Sequence, residues 1–446
     1  MDLFDFALYL ALNKGGGGGG AIIDDNTISP SKTWSSQKID NTKANKEPHN
    51  YAFDGVDLST IFADADELYA AYSQEDYGKI HIGDYWPVTL NGTFRDYGMM
   101  TCQQGQTYYS DTELTTVTGT ADADYDATPV GDTNIPGCHK PYCEVTINKV
   151  KYYCAYDECL EYREKTLSNA LMKFEVAGIN QYWRYGDSGA NNFQNGVPHL
   201  LLSPRDGLPT TLKMRKCNEQ WEGQHIATFT GDGTTAEFTI NGTVGTIGFV
   251  FVAGAKKTYN TDYTYASNKI TFKAGKIPAN GAEIKIEWMD GTTPWNGCAL
   301  YRTFNDPDYG IIKLIQQADA KLYAHIYKGT NNGGMRYYGE TRNKTNTQSG
   351  TWANRGVLFL PTEDEIWGRL LYGVSTTYSV NMQQWPIYSG GRRHFAKGAG
   401  NAASRSGVWR CSSASVTTFA TVGGYGSPGS GYAAYAGVAA PCFLLS

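Results

Sequence analysis

The sequence lacks both a block of basic residues and a long hydrophobic run. Its 446 residues carry a formal net charge of −6 at pH 7, so binding to a nucleic-acid backbone has little electrostatic support. No apolar run approaches the ~18 residues that a membrane-spanning helix needs. The sequence therefore predicts no nucleic-acid partner and no membrane span.

The familiar catalytic motifs are also missing. The 7 histidines are scattered, and the chain has no His-Glu-x-x-His, no Gly-x-Ser-x-Gly and no glycine-rich phosphate loop. Two carboxylate pairs, Asp306/Asp308 and Asp364/Glu365, leave glycan hydrolysis open. Because acids this close in sequence usually begin helices or occupy turns, we predict that the protein is not an enzyme and keep a glycan depolymerase as an alternative.

Glycine and tyrosine are abundant instead, with 51 and 32 residues. Such a composition favours strands and loops over helices. The chain is longer than a typical domain of ~100–200 residues, so we predict several domains. The predicted fold class is α+β and rich in β-strands, and changes in composition divide the chain into residues 1–50, 51–224, 225–292 and 293–446.

Residues 225–292 differ from the sequence on either side. Short alternating runs such as Ile226-Ala-Thr-Phe-Thr and Ala282-Glu-Ile-Lys-Ile are separated by turns that contain glycine or proline. This pattern predicts a small antiparallel β-sandwich inserted into the main body.

Several short patterns predict local structure in the main body. An apolar stripe from Leu58 to Tyr72 predicts a helix. The dipeptide Asn91-Gly92 is typical of a β-hairpin turn, and an alternating segment around Asn148-Lys149 predicts a second hairpin.

The stretch from Gly356 to Gly368 predicts a strand followed by a helix. Val357 to Leu360 is an apolar run of the length of a buried strand. Thr362 is a suitable N-cap, and Glu365 stands three residues later, as a capping box requires.

Two cysteine pairs with equal spacing flank the predicted Asn148-Lys149 hairpin. The hairpin would bring four thiolates close enough for tetrahedral zinc. A structural zinc ion is the only cofactor that we predict. Free thiols and two disulfides remain as alternatives, the latter requiring an oxidising compartment. The candidate ligands are Cys138, Cys143, Cys154 and Cys159.

The N-terminus predicts an attachment segment. A short helix within residues 1–14 would be apolar on most of its surface, so it must be buried against a partner. Residues 15–20 are all glycine and form a flexible linker. A frayed terminus is the alternative. The predicted attachment residues are Leu3, Phe4, Phe6, Leu8, Leu10 and Trp34.

The segment after the glycine run carries a resemblance to a known family. Asn26-Thr-Ile-Ser-Pro-Ser-Lys-Thr-Trp-Ser-Ser-Gln-Lys-Ile39 resembles the N-terminal attachment segments of head and tail fibre proteins of gut bacteriophages. The inserted module is similar to small β-sandwiches of phage fibres. The resemblance implies assembly in the host cytoplasm, docking of this end to other virion proteins, and a homotrimer.

A second resemblance covers the C-terminal body. Leu358-Phe-Leu-Pro-Thr-Glu-Asp-Glu-Ile-Trp-Gly368 and Gln384-Trp-Pro-Ile-Tyr388 resemble a domain of unknown function of gut-phage virion proteins, whose C-terminal part is similar to the C-type lectin fold. The chain departs from that family at Val408-Trp-Arg-Cys-Ser-Ser413, where Cys411 stands in place of an arginine.

The last residues predict a contact surface. The stretch after Arg410 contains no Asp or Glu, so calcium-dependent sugar binding through it is not expected. Small residues alternate there with aromatic ones, as in adaptable binding surfaces. Packing within the domain is the alternative role. By the resemblance, the residues that contact a target are Ser412, Ser415, Thr417, Phe419, Tyr425, Ser430, Tyr432 and Tyr435.

These observations predict a bacteriophage virion fibre protein. It would dock to the particle by its N-terminus and bind a glycan or protein of the bacterial surface by its lectin-like C-terminus. A purely structural capsid or tail decoration protein without a ligand is the alternative.

Overall fold

The computed structural model describes the main body of the chain. Strands account for 42% and helices for 14%, which confirms the β-rich prediction, and one sheet curls into a half-barrel. The N-terminal helix and glycine linker predicted within residues 1–50 lie outside the described residues. The described residues are 55–131, 139–182, 197–216, 225–242, 244, 246–289, 293–329, 336–342, 348–368, 384–388, 408–413, 418–422 and 428–446.

The strands fall into three groups along the chain. Before the inserted module they are β1 (Tyr85–Asp96), β2 (Met100–Cys102), β3 (Thr107–Tyr109), β4 (Val117–Thr120), β5 (Tyr125–Gly131), β6 (His139–Ile147), β7 (Val150–Ala155), β8 (Arg163–Ile179), β9 (Leu200–Pro204) and β10 (Thr211–Leu212). Within the module they are β11 (His225–Thr230), β12 (Glu237–Thr239), β13 (Thr246–Val252), β14 (Ala255–Lys256), β15 (Tyr263–Ala266), β16 (Lys269–Phe272) and β17 (Glu283–Met289). After it they are β18 (Arg336–Arg342), β19 (Gln348–Asn354), β20 (Val408–Ser413), β21 (Thr418–Val422), β22 (Pro428–Tyr432), β23 (Gly437–Val438) and β24 (Phe443–Leu445).

The helices are short. The α-helices are α1 (Ala65–Ser73), α2 (Ala299–Asn305), α3 (Ile311–Ala318), α4 (Ala320–His325) and α5 (Glu363–Trp367). Two 3₁₀ helices cover Leu58–Thr60 and Tyr156–Glu158.

A four-stranded antiparallel sheet forms the centre of the body, in the order β1-β8-β9-β24. Its last strand comes from the end of the chain, where Phe443 pairs with Leu202. The buried side chains of this sheet share one core with α2 and α3, including Phe174, Phe304 and Leu314. Segments on both sides of the inserted module therefore form a single hydrophobic core.

The inserted module has its own two sheets and its own core. Their strand orders are β11-β17-β13-β14 and β12-β16-β15, with antiparallel pairing throughout. Phe238, Val250, Ile270, Ile286 and Trp288 pack between them in a cluster separate from the main core. Alternating side chains supply this core because successive residues of a strand point to opposite faces.

The two predicted hairpin turns had different outcomes. Asn148 and Lys149 join β6 to β7 with φ angles of 51° and 68°, the left-handed conformations of a type I′ turn, so this prediction is confirmed. The prediction at Asn91-Gly92 is wrong. Both residues lie inside β1, where Leu90 pairs with Ala170 and Gly92 pairs with Leu167 of the long strand β8, so the register shifts between Leu90 and Gly92. Gly92, with φ of +123°, therefore belongs to a β-bulge.

Two predicted elements are interrupted. The helix predicted from Leu58 to Tyr72 divides into the first 3₁₀ helix and α1, because the Asp64 side chain accepts hydrogen bonds from the N–H groups of Asp66 and Glu67 and starts a new helix. The run Val357 to Leu360 is buried as predicted, but it does not form a continuous strand. Within this run, only Phe359 forms a β-bridge, an isolated one with Cys442.

One of the two hydrogen bonds of the predicted capping box is present at Thr362, and it belongs to a larger buried network. The Thr362 N–H donates to Glu365 Oε2 at 2.8 Å. Arg355 donates to both oxygens of the same carboxylate, with an Nη1–Oε1 distance of 2.7 Å. The Tyr182 hydroxyl donates to Glu365 Oε1 at 2.7 Å and accepts from Trp385 Nε1 at 3.0 Å.

The charge of Arg355 controls the ionisation of Glu365. Burial alone would raise the pKa of this carboxyl group, but the charge of Arg355 and hydrogen bonds from Arg355, Thr362 and Tyr182 outweigh burial, so the pKa is lowered. Because the folded state holds the carboxylate form, its stabilisation is complete above the pKa of an unfolded glutamate, about 4.3, and is lost as pH falls through the lower folded pKa.

We expect Glu365→Gln to lower the free energy of unfolding by about 3–5 kcal/mol at neutral pH, because Arg355 would remain as a buried charge without its carboxylate. The variant should also lose less stability than the original protein when the pH falls below about 4.3. Urea denaturation at a series of pH values measures both effects. The control is Glu237→Gln, which removes an exposed ion pair with Lys269 and should cost about 0–1 kcal/mol. Equal losses for the two variants would contradict the structural role of the network.

Candidate functional site

The predicted target-binding residues lie on and around a small C-terminal sheet, in the strand order β20-β21-β22. Ser412 lies in β20, and Phe419 in β21 pairs with Gly431 in β22. Ser415, Thr417 and Tyr425 lie outside the described residues.

Phe419 does not fit its predicted role. Its side chain has 0% of its surface exposed and belongs to the main hydrophobic core. A side chain without exposed surface cannot contact a target, so Phe419 instead fixes the small sheet to the body. Sequence reasoning failed here because an aromatic residue in a polar stretch suits a contact surface and a core equally well.

Tyr432 and Tyr435 form an exposed aromatic pair. Their side chains are 45% and 58% exposed, and their ring centroids lie 5.1 Å apart in an edge-to-face arrangement. The Tyr435 N–H donates to the Tyr432 carbonyl at 2.9 Å, so one tight turn presents both rings. Ser430 is also exposed, two residues before Tyr432.

The turn beneath the two rings is attached to the body. Ala433, between them in sequence, is fully buried. Its carbonyl accepts a hydrogen bond from the N–H of Arg215 at 3.0 Å. The Arg215 side chain is buried too and donates to the Pro294 carbonyl at 3.2 Å. The aromatic pair therefore stands on a fixed base, which reduces the entropy lost when a ligand binds.

A second candidate site is a cluster of buried thiols in the six-stranded sheet β2-β5-β6-β7-β3-β4. Cys143 and Cys154 are directly opposite each other on β6 and β7. Cys154 Sγ and Cys159 Sγ are 3.4 Å apart, and Cys102 belongs to the same core cluster. Cys138 lies outside the described residues.

The thiols of this cluster differ in acidity. Hydrogen bonds from Cys143 and Cys154 outweigh burial and lower the pKa of Cys159 to about 4. The pKa values of Cys143 and Cys154 are raised, first by hydrogen bonding to neighbouring thiols and then by burial. Cys159 is therefore the one of these three thiols whose pKa is lowered.

Within the described ranges, no group of three or more His, Cys, Asp or Glu side chains is arranged to hold a metal ion. The zinc site predicted at Cys138, Cys143, Cys154 and Cys159 stays a prediction, since one of its ligands lies outside those ranges. No sequence pattern pointed to Cys102, because only the order of strands in the sheet brings β2 near β6 and β7.

An open polar groove lies beside the thiol-containing sheet. Its acidic side chains already have cationic partners: Arg163 Nε is 3.1 Å from Asp126, and Lys151 Nζ is 2.9 Å from Glu144. We assign this groove no ligand. The groove is lined by Met99, Asp124, Tyr125, Asp126, Thr128, Glu144, Thr146 and Arg163.

Comparisons with known proteins returned no relative. No family model matches the chain, and no curated protein and no solved structure matches it significantly. In the part of the chain that the structure describes, no helix is both long and apolar enough to cross a membrane.

We expect substitutions at two candidate positions of the C-terminal sheet to change the free energy of unfolding by different amounts. Phe419→Ala should lower the free energy of unfolding by about 3–5 kcal/mol, because it leaves a cavity in the core. Ser430→Ala, at an exposed position, should change it by no more than about 0.5 kcal/mol. Chemical denaturation compares the two variants, and a Phe419→Ala protein of unchanged stability would contradict the assignment of this ring to the core.

Proposed function

We propose that the protein is a bacteriophage virion fibre protein that docks to the particle by its N-terminus and binds the bacterial surface through its C-terminal body. The proposal takes its biological setting from the resemblances at residues 26–39 and 358–368. The structural observation that supports it best is the exposed Tyr432–Tyr435 pair on its buried base.

The chemistry of this pair suits a neutral glycan or a polar protein surface. Each ring offers apolar contact area with few rotatable bonds, and each hydroxyl can donate or accept a hydrogen bond. Ser430 adds an exposed hydroxyl nearby. The stretch after Arg410 carries no charged side chain, so binding there would depend on shape, stacking and hydrogen bonds rather than on ionic attraction.

The remaining parts of the proposal concern assembly. We infer a C-type-lectin-like arrangement for residues 293–446 and a homotrimer, both from the family resemblance. One feature of the structure is compatible with this arrangement. Strands β23 and β24, at the end of the chain, pair with β10 and β9. That pairing holds the C-terminal contact surface against the central sheet.

We expect the double substitution Tyr432→Ala and Tyr435→Ala to weaken binding of the full-length protein to host cells by at least about tenfold, because aromatic anchors often account for 2 kcal/mol or more of binding energy. The matched control is Tyr259→Ala, since Tyr259 is 54% exposed but lies in the inserted module. Cell-binding isotherms across a host panel, with circular dichroism to check folding, measure the effect. Undiminished binding by the double variant would refute the site, whereas no binding by the original protein would favour a decoration protein.

We expect deletion of Met1–Gly20 to leave a folded protein that no longer joins virus particles, because this deletion removes the apolar anchor and its linker. Particles assembled with the truncated protein can be purified and their protein content measured. A variant lacking only Gly15–Gly20 serves as the control, since it retains the apolar helix and should still be incorporated. Normal incorporation of the longer truncation would show that attachment does not need this segment.

A further inference from the structure

The thiol cluster contains one pair of cysteines placed for bond formation. Cys154 is the last residue but one of β7, and Cys159 follows the 3₁₀ helix Tyr156–Glu158. That turn brings the two sulfur atoms to 3.4 Å. A disulfide bond needs about 2.0 Å, so a movement of little more than 1 Å, within the range of side-chain rotation, would join them.

Cys159 is also the least buried residue of the cluster. It is 7% exposed, whereas Cys102, Cys143 and Cys154 are each 0% exposed. Gln106 Nε2 donates to the Cys159 sulfur at 3.4 Å. This hydrogen bond holds the least buried sulfur of the cluster in place.

We propose that Cys154 and Cys159 form a redox site, in which a small hydroperoxide oxidises the two thiols to an intramolecular disulfide. The site does not depend on the proposed role as a fibre protein. Its geometry favours a disulfide over a metal centre, because the Cys154 and Cys159 sulfur atoms are 3.4 Å apart and no metal-binding group is present among the described side chains.

The reaction proceeds in two balanced steps. First, with hydrogen peroxide as the oxidant, the Cys159 sulfur attacks one peroxide oxygen, the O–O bond breaks, and the departing hydroxide takes up the Cys159 thiol proton to become water, leaving a sulfenic acid on Cys159. Second, the Cys154 sulfur attacks the Cys159 sulfur, the S–O bond breaks, and the hydroxide leaves as water with the Cys154 proton. Two thiols are oxidised and one hydroperoxide is reduced.

The Cys154–Cys159 disulfide would stabilise one edge of the six-stranded sheet. Leu160, next to Cys159, exchanges two backbone hydrogen bonds with Thr101 of β2, at 3.0 and 2.9 Å. The disulfide would therefore tie the end of β7 to the segment that holds β2. A covalent link of this kind restricts the unfolded chain and so favours the folded sheet.

The test uses the full-length protein, reduced and then treated with hydrogen peroxide. Remaining thiols are alkylated, and the protein is digested with trypsin. Both cysteines lie in one tryptic peptide, residues 152–163, between Lys151 and the cleavage after Arg163. We expect this peptide to lose two hydrogen atoms and to escape alkylation, and a thiol reductant should restore alkylation of both cysteines.

Two cysteine variants identify which thiols form the disulfide. Cys159→Ala should abolish the oxidised peptide, while Cys143→Ala, which removes the competing thiol opposite Cys154, should retain it. Thermal melting before treatment checks that each variant is folded. Free thiols at both positions after oxidation of the folded protein would overturn the proposal. So would a disulfide that uses Cys143, or stoichiometric zinc in the purified protein that only a thiol reagent releases.

Discussion

The buried ion pair between Arg355 and Glu365 is the centre of a hydrogen-bond network that connects segments far apart in the sequence. Glu365 lies in the first turn of the short helix α5, Arg355 follows strand β19, and Tyr182 and Trp385 contribute the hydrogen bonds around them. Trp295 also donates to the carbonyl of Arg355 at 2.7 Å. A buried charge is costly unless every partner is in place, so the network stabilises one relative placement of these segments and disfavours others.

The C-terminal surface depends on that placement. The end of the chain adds β24 to the central sheet, and Phe359, which lies between Arg355 and Glu365 in sequence, pairs with Cys442. The same terminal region buries Phe419 and Ala433 in or beside the main core. Internal burial thus fixes the backbone of the turn, and the tyrosine rings on its outer side are left exposed.

The thiol cluster shows the same principle in a different sheet. The Asn148-Lys149 turn brings Cys143 opposite Cys154, and the following 3₁₀ helix returns the chain to place Cys159 beside them. The Asn148-Lys149 turn alone brings two thiols together, those of Cys143 and Cys154. The 3₁₀ helix is needed to place Cys159 beside Cys154 and complete the proposed redox pair. The chemistry of the cluster therefore follows from two adjacent turns together with the surrounding core.

The sequence alone determined the features that depend on local physics: the β-rich composition, the Asn148-Lys149 turn, the capping box at Thr362 and the alternating strands of the inserted module. Each follows from backbone preferences or side-chain periodicity within a few residues. Only the tertiary structure decided that Asn91-Gly92 forms a bulge, that Phe419 is buried, that Arg355 pairs with Glu365 and that Cys102 joins the thiol cluster. These features depend on which distant segments pack together, and the residues near each position in sequence do not contain that information.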